Sequence, residues 1–310
     1  MHTSTSVDAS SWEATFAQEY WRLGPETKTA ILDLLPDDWS FTGKRVLDFG
    51  CGPGRTLRHF LPEAETAEVW GTDIDGESVE RLKDEHSPPL HLLQCGYEPP
   101  LGLDYGSFDL IWAISVFTHL TDNSIPWLLE LHRLLRPDGL LIATYMGRWH
   151  SEILTGTPWH EDRVGMNVLQ HSKGREAGGP MVLMSDWWVR EHWGRAFEIL
   201  RIEPEIHKQS WAVMRKRSVE LTTDDVALPA GDPREYEAVR ENLRQTQREL
   251  ENAEAELGAA RRELERQRHQ ASAEIETVRA EYERSLSWRI TRPFREGRRI
   301  GRSLRARRAR

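Results

Sequence analysis

The chain has 310 residues, enough to bury one full core and still carry a large appendage. Its apolar fraction of 38% is low for an all-globular chain, which points to such an appendage. The net charge is −9, yet the last 23 residues hold ten arginines and one glutamate, a charge of +9, so residues 1–287 carry −18. A body that acidic excludes a nucleic-acid-binding surface. Two cysteines without secretory spacing suit a reducing cytosol, and the first residues, MHTSTSVDASSWE, lack the basic and apolar blocks of a leader. No run approaches eighteen apolar residues, so no membrane span is expected and the expected location is cytoplasmic.

In chain order, residues 1–11 are Ser/Thr-rich and are expected to be disordered. Residues 12–40 show two helical patterns, with Phe16, Tyr20, Trp21, Ile31, Leu32, Leu34 and Leu35 on apolar faces. Val46–Gly54 then reads VLDFGCGPG. An apolar run carrying Asp48 meets glycines at alternate positions, Gly50, Gly52 and Gly54, the pattern of a buried parallel strand ending in a tight loop that opens a helix. Glycine lets such a loop turn sharply and lets a ligand touch bare backbone, and the helix start offers free N–H groups to an anion. Val69–Thr72 reads as a second strand with Asp73 at its end, where a carboxylate can accept two hydrogen bonds from a ribose diol. A third strand ends in Gln94-Cys95-Gly96-Tyr97, and Cys51 and Cys95 both read as small buried fillers.

Phe108–Ser115 reads as a fourth strand, and Leu128–Tyr145 as an amphipathic helix, a Pro-Asp-Gly turn and a fifth strand. Residues 146–185 interrupt this pattern. Four glycines between Gly165 and Gly179, with polar residues among them, predict a mobile excursion over the carboxyl edge of the sheet. Ser185 caps a further helix to Phe197, and residues 197–216 read as two strands joined by a turn. Pro229, Gly231 and Pro233 mark a linker within 217–233. From Arg234 the leucines fall at intervals of seven, Leu243, Leu250, Leu257 and Leu264, with Tyr236 one heptad earlier. With these as a positions, the d positions are Val239, Thr246, Ala253, Ala260 and Gln267, a coiled-coil seam over 234–287 with a four-residue slip before Ile275, Val278 and Tyr282. A solitary solvated helix would leave the leucines exposed along ~75 Å.

The short-spaced loop Gly50-Cys51-Gly52-Pro53-Gly54, preceded by Asp48, resembles motif I of the class I S-adenosylmethionine (SAM) dependent methyltransferases of the type 11/12 kind. A nicotinamide fingerprint needs glycine where Arg55 stands. The acid at 73, the fourth strand with its SVFTHL continuation and the Pro-Asp-Gly turn follow in the order of that family's motifs, and the resemblance covers about residues 12–216. It implies an α/β fold, a Rossmann-like doubly wound seven-stranded sheet, followed here by a long coiled-coil helix and an arginine-rich tail at 288–310. It also implies SAM as cofactor, with no metal expected. Asp48, Gly50, Cys51, Gly52 and Gly54 are then the loop and methionyl contacts, and Asp73 the ribose ligand. Ile74 packs on adenine, and Ile114 and Ser115 edge the methionine. Asp48 also reads as an acid bonding the loop amides. The acid that the family often carries after the third strand is absent, which leaves the adenine edge to Gln94 or to backbone. Tyr20 or Trp21 either touches SAM or packs the sheet edge.

Ser115-Val116-Phe117-Thr118-His119 stands where amide and nucleobase N-methyltransferases often carry Asn-Pro-Pro-aromatic, which argues against that subgroup. A hydroxyl acceptor needs a base, and His119 is the first candidate, with His150, His160 and Asp162 behind it. Residues 146–185 read as the acceptor lid, with Trp149 and Trp159 offering faces to a sugar ring or filling a small core. Ser285–Arg295 resembles a tail that follows coiled coils in bacterial polysaccharide-assembly proteins. Trp288, Ile290, Phe294, Ile300 and Leu304 in an arginine field suit an anionic membrane face, or form a basic tail without a partner. The expected activity is O-methylation of a saccharide or glycan hydroxyl, with the helix pairing with itself or another protein. The alternatives are a small-molecule or natural-product O-methyltransferase and a SAM-binding scaffold without turnover.

Overall fold

The computed structural model describes residues 9–156, 158–171, 173, 179–284 and 290–291. The expected basic tail lies outside the described residues apart from Ile290 and Thr291, as does most of the expected disordered N-terminus. The chain divides into two compact units, one ending at Gln247 and the other beginning at Arg248.

The first unit opens with α1 (Ala9–Leu34), β1 (Arg45–Phe49), β2 (Glu68–Asp73), α2 (Gly76–His86), β3 (His91–Gln94), β4 (Phe108–Ala113), α3 (Ser124–Leu134) and β5 (Leu135–Tyr145). It continues with β6 (Met166–Leu169), β7 (Met181–Met184), α4 (Asp186–Ala196), β8 (Phe197–Ile206), β9 (Gln209–Lys216), α5 (Thr223–Ala227) and the start of α6 (Pro233–Arg284). Seven strands form one sheet in the order β3-β2-β1-β4-β5-β9-β8. Strands β1 to β5 run parallel, and β9 runs antiparallel between β5 and β8. This is a Rossmann-like doubly wound α/β sheet of seven strands, and its winding reverses between β1 and β4. A crevice therefore opens at the carboxyl ends of those two strands.

Side chains alternate across the sheet as a period of two requires. Leu47, Ile111 and Leu141 face a core completed by α3, α4 and α5. Val46, Leu110 and Ile142 face a second core with Ile31 and Leu34 of α1, where Phe60 stacks on Trp112 at 4.6 Å. Both faces are covered, which is why these strands read as nearly unbroken apolar runs.

Several expectations are corrected. Residues 12–40 carry one continuous helix, α1, with Pro25 inside it, where two were expected. The glycine loop opens no long helix. Leu57–Phe60 and Glu63–Glu65 form two short 3-10 turns, because Pro62 has no N–H to continue an α-helical ladder. The Pro-Asp-Gly turn is absorbed into β5, with Asp138 in the left-handed region at φ 61° and a register shift opposite β4. The insertion is built in part: β6 and β7 pair as an antiparallel hairpin whose Val168 and Val182 enter the main core. Gly165 is a packing glycine there, since a Cβ would lie 3.0 Å from Trp188 and 3.2 Å from Ala238. The stretch 217–233 holds α5, which buries Val226 beside α4, where a bare linker was expected. The Ser185 cap and the final strand pair match the sequence reading.

At the opposite edge of the sheet, Asp109 accepts from the Arg45 amide at 2.9 Å, Lys44 at 3.2 Å and Arg136 at 2.7 Å. Burial pushes its carboxyl up, but these three donors outweigh burial and hold it below the usual carboxylate range. A depressed folded value means that this stabilisation is full above the unfolded value near 4 and is lost as pH falls through the folded one. Asp109→Asn should cost about 1–3 kcal/mol at neutral pH in denaturant titration. The difference from the parent should shrink in acid.

Candidate active site

The crevice is built from the ends of β1, β2 and β4. After β1 the chain turns through Gly50, Gly52 and Gly54 at φ of 80°, 51° and 80°, conformations open to glycine. The three glycines serve different ends. A Cβ on Gly50 would meet Val116 at 2.3 Å, and one on Gly54 would meet Leu82 at 2.4 Å. A Cβ on Gly52 would have only Tyr20 Oη at 3.8 Å and Asp73 Oδ2 at 4.0 Å nearby, so this is where backbone faces open space.

Asp73 holds that loop. Its Oδ2 accepts from Gly52 N at 2.7 Å and its Oδ1 from Asp75 N at 2.8 Å. Two accepting oxygens retain further lone pairs for a ligand hydroxyl.

Two cavities meet at Gly50 and Ser115. The smaller, about 210 Å³, is lined by Tyr20, Asp48, Cys51, Gly52, Arg55 and Ile114 among others. The larger, about 460 Å³, is bordered by Phe49, Asp73, Ile74, Cys95, Val116, His119 and Trp127, and by Lys173, Gly179 and Pro180 of the insertion. The first is polar and carries both charges, whereas the second is mainly apolar. Ser115 sits at φ 60°, a left-handed conformation that is uncommon outside glycine and costs about 1–3 kcal/mol. Thr144 Oγ1 accepts its amide at 2.7 Å and Gln209 donates to its hydroxyl at 2.7 Å, which together hold the strained turn.

Asp48 is buried at 3% exposure, and its Oδ2 has no hydrogen-bond partner. Burial pushes its pKa up to about 7, the Trp112 indole opposes that, the Asp73 charge adds to it and Arg55 opposes it. Tyr20 is also pushed up, by burial first, with the Arg55 guanidinium 4.5 Å from its ring centre opposing. Trp21 is exposed beneath Arg58, so of these two aromatic residues Tyr20 is the one that reaches the site.

Of the residues expected from sequence, Asp48, Gly50, Cys51, Gly52, Ile114 and Ser115 line the smaller cavity, and Asp73, Ile74 and His119 line the larger. Gly54 lines neither, being closed off by Leu82. Cys51 is the buried filler expected of it, but Cys95 borders the larger cavity. Gln94 lies against Gly76, with its amide 3.4 Å from the Ile74 carbonyl, and does not border that cavity. Arg55, Gln209, Tyr97 and Asn123 were missed. Arg55 had a signal, since it directly follows the glycine loop, whereas Gln209 comes from a distant strand.

His119 Nδ1 lies 2.8 Å from the Pro180 carbonyl, which can only accept, so Nδ1 carries the proton and Nε2 is left as the basic nitrogen. His150 is buried, its Nδ1 lacks a partner, and burial with the Lys208 and His119 charges pushes it down to about 4. His160 and Asp162 lie exposed in a turn and border neither cavity. Trp149 and Trp159 line a third cavity of about 190 Å³, with Arg148, Glu161, Glu205 and Lys208. Lys208 Nζ sits 5.0 Å from the centre of the Trp149 ring.

Residues 47–141 match a family described as a methyltransferase domain. That segment, from β1 to β5, is similar to a methyltransferase domain. Over 114 residues it is 32% identical to 2-methyl-6-phytyl-1,4-hydroquinone methyltransferase of Synechocystis, covering 36% of this chain and 33% of that one. It is 31% identical to malonyl-[acyl-carrier protein] O-methyltransferase of Enterobacter lignolyticus, over 32% of this chain and 38% of that one. Trans-aconitate 2-methyltransferase of an Azoarcus strain is also 31% identical, over 44% and 51%. The chain thus spans about a third to a half of the length of these curated relatives. Among solved structures, an S-adenosylmethionine dependent methyltransferase from Mesorhizobium loti aligns with a TM-score of 0.47 at 16% identity, over 61% of this chain and 96% of that one.

The crevice keeps an ionisable acid where burial disfavours its charge. The folded pKa of Asp48 is raised above the unfolded value of 3.8, so its ionisation costs stability, increasingly between about pH 4 and 7. Asp48→Asn should therefore stabilise the fold above pH 7, by roughly 4 kcal/mol at most. Thermal unfolding at pH 5 and pH 8 checks this: the gain should be larger at pH 8.

Proposed function

We propose that this chain transfers a methyl group from SAM to an oxygen acceptor, a hydroxyl of a saccharide or glycan. The observation that carries the reading is the pair of adjoining cavities at Gly50 and Ser115. One holds a buried carboxylate with a partnerless oxygen beside a guanidinium, and the other is apolar with an anchored carboxylate at its edge. An amino-acid end and a nucleoside make the same pair of demands. Asp48 suits the ammonium and Arg55 the carboxylate. Gly52 offers bare backbone, Asp73 suits the ribose diol, and Ile74 with Val116 suits the base. SAM supplies a methyl group already activated by its positively charged sulfur.

The remaining work falls to the protein. It must align the acceptor, exclude water and take up a proton as the new bond forms. His119 is our choice for the proton, because its Nδ1–H is committed to Pro180 and its other nitrogen is the basic one. Residues 146–185 act as the acceptor lid, and three of their residues border the larger cavity. Support for a polyhydroxyl acceptor comes from the third cavity, where two indoles stand among charged groups. Aromatic faces ringed by polar groups suit sugar rings. Its Ser210 follows Gln209, which bonds Ser115, so the two regions adjoin. Three of the curated relatives are named O-methyltransferases, which agrees with an oxygen acceptor.

Calorimetry with SAM, followed by release of S-adenosylhomocysteine in the presence of a glycan panel, tests this reading. Asp73→Ala should weaken SAM binding about ten- to a hundredfold, the value of a charged hydrogen bond or two. SAM affinity should also fall as pH drops below about 7, when Asp48 takes up a proton, and Asp48→Asn should remove that dependence. Unaltered affinity in the Asp73 variant rejects the assignment, and binding without product across the panel points to a scaffold.

We also read the arginine-rich end as a contact with the cytoplasmic face of an anionic membrane, near lipid-linked glycans. Each arginine near such a surface contributes ~1 kcal/mol before screening. Full-length protein should pellet with anionic vesicles at low salt and be released by salt. A chain ending at Leu286 should stay in the supernatant, and equal partitioning of the two rejects this reading.

A further inference from the structure

Helix α6 extends over 52 residues, about 78 Å. Its first turns belong to the catalytic unit. Ala238 is buried, Asn242 Oδ1 accepts from the Val168 amide at 3.0 Å, and Glu235 bonds His192 at 3.1 Å. From Arg248 onward, in the second unit, the described residues to 284 form this helix alone. Leu250, Leu257 and Leu264 lie 52–60% exposed, and Ile275, Val278 and Tyr282 are 54–67% exposed. An apolar stripe at heptad spacing, left in water over that length, calls for a cover.

The charges beside the stripe select the cover. The positions before each a residue, the g positions, are Glu249, Glu256, Glu263 and Glu274, and those after each d residue, the e positions, are Glu254, Arg261, Arg268 and Arg279. In a parallel, in-register pair each g residue meets the e residue five positions on in the other chain. Three of the four pairs are then opposite in sign: Glu256 with Arg261, Glu263 with Arg268, and Glu274 with Arg279. Only Glu249 with Glu254 repels. An antiparallel self-pairing sets g against g, which is glutamate against glutamate throughout. In the single chain, Glu263 reaches Arg266 and Arg279 reaches Glu283, exposed pairs that cost little to exchange. We propose that α6 from Arg248 onward is a parallel, in-register dimerisation helix whose partner is a second copy of this chain. The alternating small d residues, Ala253 and Ala260, let the two helices approach closely along the leucine side.

Light scattering on the full chain tests this without reference to methyl transfer. The expected mass is twice that of one chain. The triple variant Glu256→Arg, Glu263→Arg, Glu274→Arg should lose the dimer, as should Arg261→Glu, Arg268→Glu, Arg279→Glu. An equimolar mixture of the two triples should restore it. Ala253→Cys should form a disulfide-linked dimer under mild oxidation at a yield well above that of the parent chain. A monomeric parent, dimeric triples or a mixture that stays monomeric overturns the proposal. A dimer that does not cross-link at position 253 overturns its parallel register.

Discussion

The carboxylate of Asp73 is the point on which the rest of the site hangs. It stands at the end of β2, and its two oxygens hold the amides of Gly52 in the glycine loop and Asp75 before α2. One bond fixes the glycine loop in a left-handed conformation that it has no repeating ladder to maintain. The other fixes the start of α2, where Asp75 in turn caps the helix by accepting from Glu77. Charge-assisted bonds to backbone amides are among the stronger hydrogen bonds available to a folded chain. The acid thus shapes the pocket wall and also faces the larger cavity.

Asp48 shows the opposite economy. Its neighbour on β4 is Trp112, it is almost fully buried, and one oxygen has no partner. Burial there lifts its pKa to about 7, so the fold alone prefers it neutral. A buried group that lowers stability but borders a polar cavity is the mark of a site shaped for a ligand. Arg55 supplies the matching positive charge, and its guanidinium over Tyr20 ties the glycine loop to α1. The strained Ser115, held by Thr144 and Gln209, belongs to the same pattern: strand ends distorted where the crevice opens, regular strands below.

Helix α6 divides its surface between two tasks. Near its start Glu235, Ala238 and Asn242 pack against the rest of the first unit, while Tyr236, Val239 and Leu243 stay exposed on another face. Asn242 takes the Val168 amide of β6, so the hairpin that borders the crevice is hydrogen-bonded to the start of α6. The 3.6-residue period makes this division possible, since residues four apart share a face while a heptad stripe follows another.

Local pattern alone determined the strand order of chemistry. The apolar run with Asp48, the glycine loop, the acid at 73, the largely apolar β4 and the capped α4 were all legible, because burial on two faces and backbone conformations open only to glycine leave direct marks on residue choice. The helix α6 was legible from its regular heptad of leucines, which stand exposed in the single chain. The tertiary structure decided what depends on distant neighbours. It showed that Gly50 and Gly54 are glycine to admit Val116 and Leu82, and that only Gly52 faces open space. It turned the insertion into a hairpin pairing two short apolar runs across a glycine-rich loop, a contact with no local periodicity. It placed Gln209 on Ser115 across 94 positions of sequence, moved Cys95 to the cavity edge and sent His160 and Asp162 away from it. Periodicity reports which face of an element is buried; only packing reports what that face is buried against.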